Sequence, residues 1–221
     1  VSAQQTKIHV AIAVWDWPSY FDPEEKKRGI RLAHALYRRP DPATAPTDAK
    51  AAGLYMICTI SKHAAEKDGY ADAMMLDYRG YVAEATGANV FFVKDGVLHT
   101  PKPDCFLDGI TRRTVIDLAK GKGITVIERH IQKEELSTFT ECFIVGTAAE
   151  VTPVSEVGEF KFTPAKLSLD LMDTYAALVR GEAPVATTRA DNHGGAGGRA
   201  DRGLDGPEHP QPVAGAERQR R

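Results

Sequence analysis

Apolar and polar positions alternate along "KIHVAIAV" (7–14), a period-two pattern that predicts a buried strand. The aromatic and proline signals of "WDWPSYFDPEEKK" (15–27) suit a surface-crossing connection between two structural units. "GIRLAHALYRR" (29–39) fits a strand or a short helix, and the prolines of "PDPATAP" (40–46) make a loop. A helix is expected from Thr47, as N-cap after Pro46, to around Lys67. Ala51, Leu54, Tyr55, Cys58 and Ala65 lie near one of its faces, and Asp68-Gly69 end it.

The period then changes. Between Tyr70 and Pro103 short apolar runs are broken by "YRG", "ATGAN" and "KDG", and the Asp-Gly pair between "NVFFVK" and "VLHT" is a two-residue hairpin turn, so this region predicts antiparallel sheet. "GITRRTVIDLAKGKG" (109–123) reads as a helix with apolar Ile110, Val115, Ile116, Leu118 and Ala119, stopped by glycine. "ITVIERHI" is a strand and "KEEL" a helical turn. "TECFIVGTAAEVTPVSEVG" makes two strands about a Gly-Thr turn, and "TPAKLSLDLMDTYAALVRG" (163–181) a last helix opened by Thr163-Pro164. From Glu182 onward no aromatic residue occurs while Gly, Pro and Arg accumulate; such a segment buries too little apolar surface to offset its ordering entropy, so a disordered tail is expected.

Composition changes this picture little. With 221 residues and a formal charge of -2, the chain carries no electrostatic signature of a nucleic-acid or membrane partner. No apolar run approaches the roughly 18 residues that span a bilayer. Cys58, Cys105 and Cys142 form no CxxC pair, and two lie in apolar runs, so a reducing cytoplasm is the expected compartment. "VSAQQTKIHVAIAV" has neither a basic n-region nor an initiating methionine and reads as a cut, with the partners of its strand encoded upstream.

Several site patterns are excluded: no HExxH or paired Cys/His spacing supports a metal, and no GxSxG or Walker loop occurs. "GAGGRA" (195–200) matches a dinucleotide fingerprint formally but follows no strand. Lys50 stands out because a lysine in the first turn of a helix, among small residues, has its ammonium disfavoured by the macrodipole; a neutral amine attacks carbonyls. From its position alone a solvated surface lysine is the better reading, since lysines are the commonest exposed residues. Glu84, on an expected strand between Ala83 and Ala85, is placed either to hold a ring nitrogen protonated or to face solvent. Gly109-Ile110-Thr111 opens a helix with free backbone donors, and Gly146-Thr147-Ala148-Ala149 offers donors between two strands. An amine, a carboxylate and two anion sockets are the groups that pyridoxal 5'-phosphate and an amino-acid substrate require.

Four segments in this order, "AKAAGLY", "GYVAEATGANVFFVKDGVLHTP", "LDGITRRTVIDLAK" and "CFIVGTAAEVTPV", resemble the fold-type IV pyridoxal-phosphate enzymes, and among them the branched-chain amino-acid aminotransferases. The resemblance covers roughly Lys7 to Gly181. It implies an α+β fold of the D-amino-acid-aminotransferase-like type, an antiparallel-rich mixed sheet or pseudo-barrel with flanking helices. It also implies a missing small domain, of which residues 1–20 would be a remnant strand and connection; 21–181 would be the large cofactor-binding domain and 182–221 the tail. Lys50 is then the residue of the internal aldimine and the proton shuttle, Glu84 the partner of the pyridine nitrogen, and Tyr55 the neighbour of the phenolic oxygen. Leu107 packs on the ring. Gly109, Ile110, Thr111 and Thr147 serve the phosphate, and Thr147-Ala148 the substrate carboxylate. Arg39 occupies a family arginine position without an assigned contact. The activity implied is transamination of Leu, Ile or Val with 2-oxoglutarate in a homodimer or higher homo-oligomer. Same-fold enzymes acting on D-amino acids, amines or aminodeoxychorismate share Lys50 and Glu84, and an inactive fragment is the reading from a different class.

Overall fold

The computed structural model describes residues 6–16 and 21–182; the expected tail lies outside the described residues. Local chemistry starts the ordered part. The Asp22 carboxylate accepts hydrogen bonds from the Glu24 and Glu25 amides at 2.9 and 3.0 Å, Pro23 follows it, and acidic residues precede basic ones along α1 (Pro23–Arg28). Gly29 then turns the chain into β1 (Ile30–His34), which settles "GIRLAHALYRR" as strand.

The helix expected from Thr47 begins later, as α2 (Ala52–Lys67). The Thr47 amide is already spent on the Ala45 carbonyl and that of Ala49 on Pro46, in a run of turns that Asp41 starts by accepting from the Ala43 amide. Because the helix starts at Ala52, Thr47 caps no helix. Lys50 lies in the link before the helix, with Ala51 as an extended N-cap, so the macrodipole reasoning for Lys50 does not apply.

The next four strands follow the sequence closely: β2 (Asp72–Leu76), β3 (Val82–Ala85), β4 (Asn89–Lys94) and β5 (Val97–Pro101). The β4–β5 turn has φ of 52° at Asp95 and 75° at Gly96, the left-handed pair a two-residue hairpin needs. After them come α3 (Ile110–Gly121), β6 (Val126–Arg129), a 3-10 turn (Lys133–Thr138), β7 (Glu141–Gly146), β8 (Glu150–Val157), β9 (Phe160–Lys161) and α4 (Lys166–Val179). The two-residue β9 has no hydropathy pattern to announce it. α4 starts after Thr163-Pro164 because its cap is tertiary: the Glu141 carboxylate of β7 accepts from the Ala165 amide and from both the amide and hydroxyl of Ser168.

The strands form a mixed sheet in the order β3-β2-β1-β8-β7-β4-β5-β6, with β9 on β8. β1 runs parallel to β2 and β8, β5 runs parallel to β6, and the other pairs are antiparallel. The ends of this order meet: the Val82 amide of β3 donates to the Ile131 carbonyl just past β6 at 2.9 Å, and Tyr81 bridges Gln132. The sheet thus curls into the pseudo-barrel expected of the fold. Alternation separates two cores, since successive side chains leave a strand on opposite faces. Phe92, Cys142 and Ile144 join Ile30, Leu32, Met74 and Val82 on one face, while Phe91, Val93, Phe143 and Val145 meet Val115, Ile116 and Ala119 of α3 and Leu171 of α4 on the other.

One expectation fails outright. Residues 7–14 form no strand, and Ile8, Val10, Ile12 and Val14 are 93, 87, 92 and 90% exposed. Alternation signals a strand only where a sheet edge receives it, and no strand among the described residues pairs with this segment. Among the described residues no helix is long and apolar enough to cross a membrane.

Gly29 is where the backbone tolerates least. Its φ is +86°, and a Cβ there would come within 2.8 Å of both the Ser155 backbone nitrogen and Pro164 Cγ. Gly29→Ala is expected to destabilise the chain by about 2–4 kcal/mol, against about 1 kcal/mol for Gly96→Ala, which combines the same hand of φ with open space. Urea unfolding of the two variants beside the parent measures the difference.

Candidate active site

The end of β3, the tight β3–β4 turn, the first turn of α3 and the link before α2 converge on one cleft of about 260 Å³. Lys50 reaches it from the link, and Leu54, Tyr55 and Cys58 from the start of α2. Glu84 enters from β3, Leu107 to Thr111 from the entry to α3, and Gly146 and Thr147 from the β7–β8 turn. The site residues nominated from the sequence line this cleft except Ala148, which sits exposed one position beyond Thr147, and Ala149, which is buried in the core.

Glu84 lies opposite Met75 of β2 and is buried. Its Oε1 stands 3.4 Å from Arg39 Nε, and its Oε2 accepts a hydrogen bond from Asn89 Nδ2 at 3.1 Å. Burial pushes the Glu84 carboxyl up to about 8, with Arg39 and then Lys50 pulling it back towards the ionised form. Arg39 is itself buried. Its amide donates to the Leu76 carbonyl at 2.8 Å, its backbone bridges Asp77, and Nη1 donates to Cys58 Sγ at 3.4 Å. Arg39 Nε is close enough to Glu84 for ion pairing but misaligned for a hydrogen bond, which leaves it an unsatisfied buried donor. Burial likewise raises the Cys58 thiol, so it stays protonated beside this pair.

The other half of the cleft is built on α3. Its N-cap, Gly109, supplies no side-chain acceptor to the first-turn amides. Arg112 anchors that turn to the sheet. Its Nη1 donates to Asp108 Oδ1 at 2.8 Å, and its Nη2 to the Pro101 carbonyl at 3.1 Å and Glu128 Oε2 at 2.6 Å. The β7–β8 turn packs close, since a Cβ on Gly146 would lie 3.4 Å from the Gly87 carbonyl. Thr111 is buried, whereas Lys50, Ile110 and Thr147 are exposed.

Chemically, this is an amine at the mouth of a cleft whose floor is a buried carboxylate and whose rim carries open backbone N–H groups. It suits a ligand with an electrophilic carbon, a basic ring nitrogen and an anionic group. Sequence reasoning missed the contact of Arg39 with Glu84, and it missed Asn89 altogether. For Asn89 the available signal was its place in "EATGAN" beside the nominated glutamate.

Comparison with known proteins now bears on this geometry. Residues 1–157 match the family model described as amino-transferase class IV. The branched-chain-amino-acid aminotransferase of Pseudomonas aeruginosa is 38% identical over 183 residues, which are 81% of this chain and 60% of that protein. The crystal structure of the branched-chain aminotransferase of the archaeon Thermoproteus uzoniensis, determined with norvaline, superposes with a TM-score of 0.73 at 37% identity, covering 77% of this chain and 56% of that one. The Thermobaculum terrenum branched-chain amino acid aminotransferase in its PLP form gives 0.69 at 32% identity, over 74% and 55% of the two chains. The chain therefore spans somewhat more than half the length of these proteins. Since the family pattern runs through the link, both turns and every strand that line the cleft, this chain belongs to the class IV aminotransferases.

Proposed function

We propose that the cleft binds pyridoxal 5'-phosphate and that the chain serves the transamination of branched-chain L-amino acids with 2-oxoglutarate. The observation that carries this reading is the buried Glu84 carboxylate between Arg39 and Asn89, in the same cleft as the Lys50 amine. The residues fit the cofactor. Arg39 Nε is an unsatisfied buried donor beside Glu84, the first-turn amides of α3 lack a side-chain acceptor, and Gly109 and Gly146 line the cleft. The substrate class follows the similarity to branched-chain enzymes.

When bound, the cofactor supplies an electrophilic aldehyde carbon and a pyridine ring that withdraws electrons from the substrate's Cα. Glu84 would hold a proton at the ring nitrogen, with Arg39 drawing the carboxyl towards its ionised form and Asn89 fixing its plane. The Lys50 amine is the nucleophile and then carries the proton at Cα as general base and acid. The amides of Ile110 and Thr111, with the Thr111 and Thr147 hydroxyls, bind the phosphate at the positive end of α3. The backbone of Thr147 and Ala148 receives the substrate carboxylate, Tyr55 the phenolic oxygen, and Leu107 packs against the ring. In this reading residues 21–181 are the cofactor domain, residues 1–20 the connection ahead of it and 182–221 a separate tail. The enzyme works in the cytoplasm on amino acids and 2-oxo acids as a homo-oligomer.

Borohydride reduction of the chain mixed with pyridoxal phosphate should fix the cofactor to Lys50, as peptide mass spectrometry reads. Lys50→Ala should lose this label and lower leucine:2-oxoglutarate exchange by at least ~10³-fold. A folded parent chain that takes no label, or a Lys50→Ala variant with parental turnover, would remove the reading.

Glu84 yields a second expectation. Its carboxyl binds a proton more tightly in the folded cofactor-free chain, up to about 8, than in the unfolded one. Between about 4.5 and 8 the folded state holds the extra proton, so its stability falls as pH rises through that window. Glu84→Gln removes the titration. The variant's stability relative to the parent should therefore increase from pH 5 to pH 8, by on the order of a few kcal/mol. Thermal unfolding of both cofactor-free chains at the two pH values gives the comparison, and a constant difference would show that Glu84 is ionised throughout.

A further inference from the structure

Asn89, the first residue of β4, stands between the two halves of the cleft, and its side chain is shared between them. Nδ2 donates to Glu84 Oε2 at 3.1 Å and to the Leu107 carbonyl at 2.9 Å, while Oδ1 accepts from the Gly109 amide at 3.3 Å. The residue is only 6% exposed, and its backbone is held in register opposite Val145 of β7. The fit against Gly109 is close. A Cβ at 109 would lie 2.4 Å from Oδ1 and 3.7 Å from Cγ, so the amide keeps this place only if residue 109 has no side chain. Other side chains cannot do the same. Aspartate lacks a donor for the Leu107 carbonyl and sets a second negative charge against Glu84, and serine lacks the second donor and the reach.

We infer that Asn89 is a positioning residue that couples the carboxylate facing the cofactor's ring nitrogen to the helix turn facing its phosphate, so that a change on either side is felt on the other. This rests on the cofactor reading above, because it gives the two halves their ligand groups. The coupling runs through one rigid planar amide. Moving Oδ1 away from Gly109 turns Nδ2 away from Glu84, and the carboxylate then loses its only side-chain hydrogen-bond donor among the described residues. Arg39 remains nearby without hydrogen-bonding geometry, and Lys50 acts on Glu84 through its charge.

The test uses ligands without phosphate: pyridoxal, and its 1-deaza analogue with carbon in place of the ring nitrogen. The ratio of their affinities for the full chain, from absorbance titration, reports the ring-nitrogen contact alone. Asn89→Ala should shrink that preference roughly tenfold, the size expected for losing a hydrogen bond to a charged group. The decisive variant is Gly109→Ala. It lies on the phosphate side, leaves Glu84 and Asn89 in the sequence, and should shrink the preference comparably while its circular dichroism spectrum stays parental. If Gly109→Ala weakens pyridoxal phosphate but leaves the pyridoxal preference intact, the two halves are independent and the coupling is overturned. Glu84→Ala tells this failure from a deeper one. If the parent shows no preference, or Glu84→Ala retains it, Glu84 does not face the ring nitrogen and the cofactor reading falls together with the coupling.

Discussion

A carboxylate taken out of water needs compensating charge and donors, and the arrangement around the cleft follows from meeting that need at Glu84. Arg39 reaches it because β1 runs parallel beside β2, which carries the segment after β1 alongside the end of β2 and lets Arg39 bridge Asp77. Asn89 reaches it because the turn after β3 is short enough to bring the start of β4 back against the strand it left; the Ala85 amide donates to the Ala88 carbonyl at 2.8 Å. Strand order and turn length thus set the electrostatics of the site. A sheet with the same strands in another order would bury the same carboxylate without partners, at a cost of several kcal/mol.

The compensation is close to balance rather than generous. Two unit charges 3.4 Å apart attract by about 5 kcal/mol at an effective dielectric constant of 20, comparable with the several kcal/mol each ion loses on leaving water. Arg39 and Glu84 are both buried, so the pair adds little net stability by itself. This is why burial still dominates the Glu84 carboxyl in the cofactor-free chain, despite Arg39 and Lys50. A further cation against Oε1 or Oε2 shifts the balance decisively towards the ionised form. In the proposed reading a protonated ring nitrogen is such a cation, and ligand binding and Glu84 ionisation would then favour one another by linkage.

The parts of the fold visible in the sequence are those governed by nearest neighbours in the chain. Asp95-Gly96 dictates its hairpin, the alternation in "NVFFVK" and "ECFIVG" assigns each phenylalanine to a face, and glycines mark the ends of α3. What escaped depends on distant partners. Thr47 has the chemistry of a cap, but the helix starts only at Ala52; Ala165 has none, yet Glu141 caps α4 from β7. The alternation of residues 7–14 is genuine and meets no strand among the described residues. At the cleft, Lys50 and Glu84 were nominated through ordered motifs, because neither position alone separates a reactive group from a surface one. The contact between Arg39 and Glu84 was out of reach, since it exists only once three strands are side by side.

The site divides into a fixed floor and an open mouth, and the division follows the backbone. Glu84, Asn89 and Arg39 sit on or directly beside strands of the curled sheet, buried and cross-linked, where neither side chain nor main chain has room to shift. Lys50 and Thr147 sit in connections and are exposed. A lysine inside α2 would have its backbone fixed by helical hydrogen bonds and its stem directed along the helix. In the extended link before Ala52, the amine instead sits on a long stem with no such restraint. Orientation of a ligand calls for rigidity, whereas a group that must form and break a bond in every turnover has to move. In the proposed reading Lys50 is such a group, and the start of α2 at Ala52 leaves its amine outside the helix.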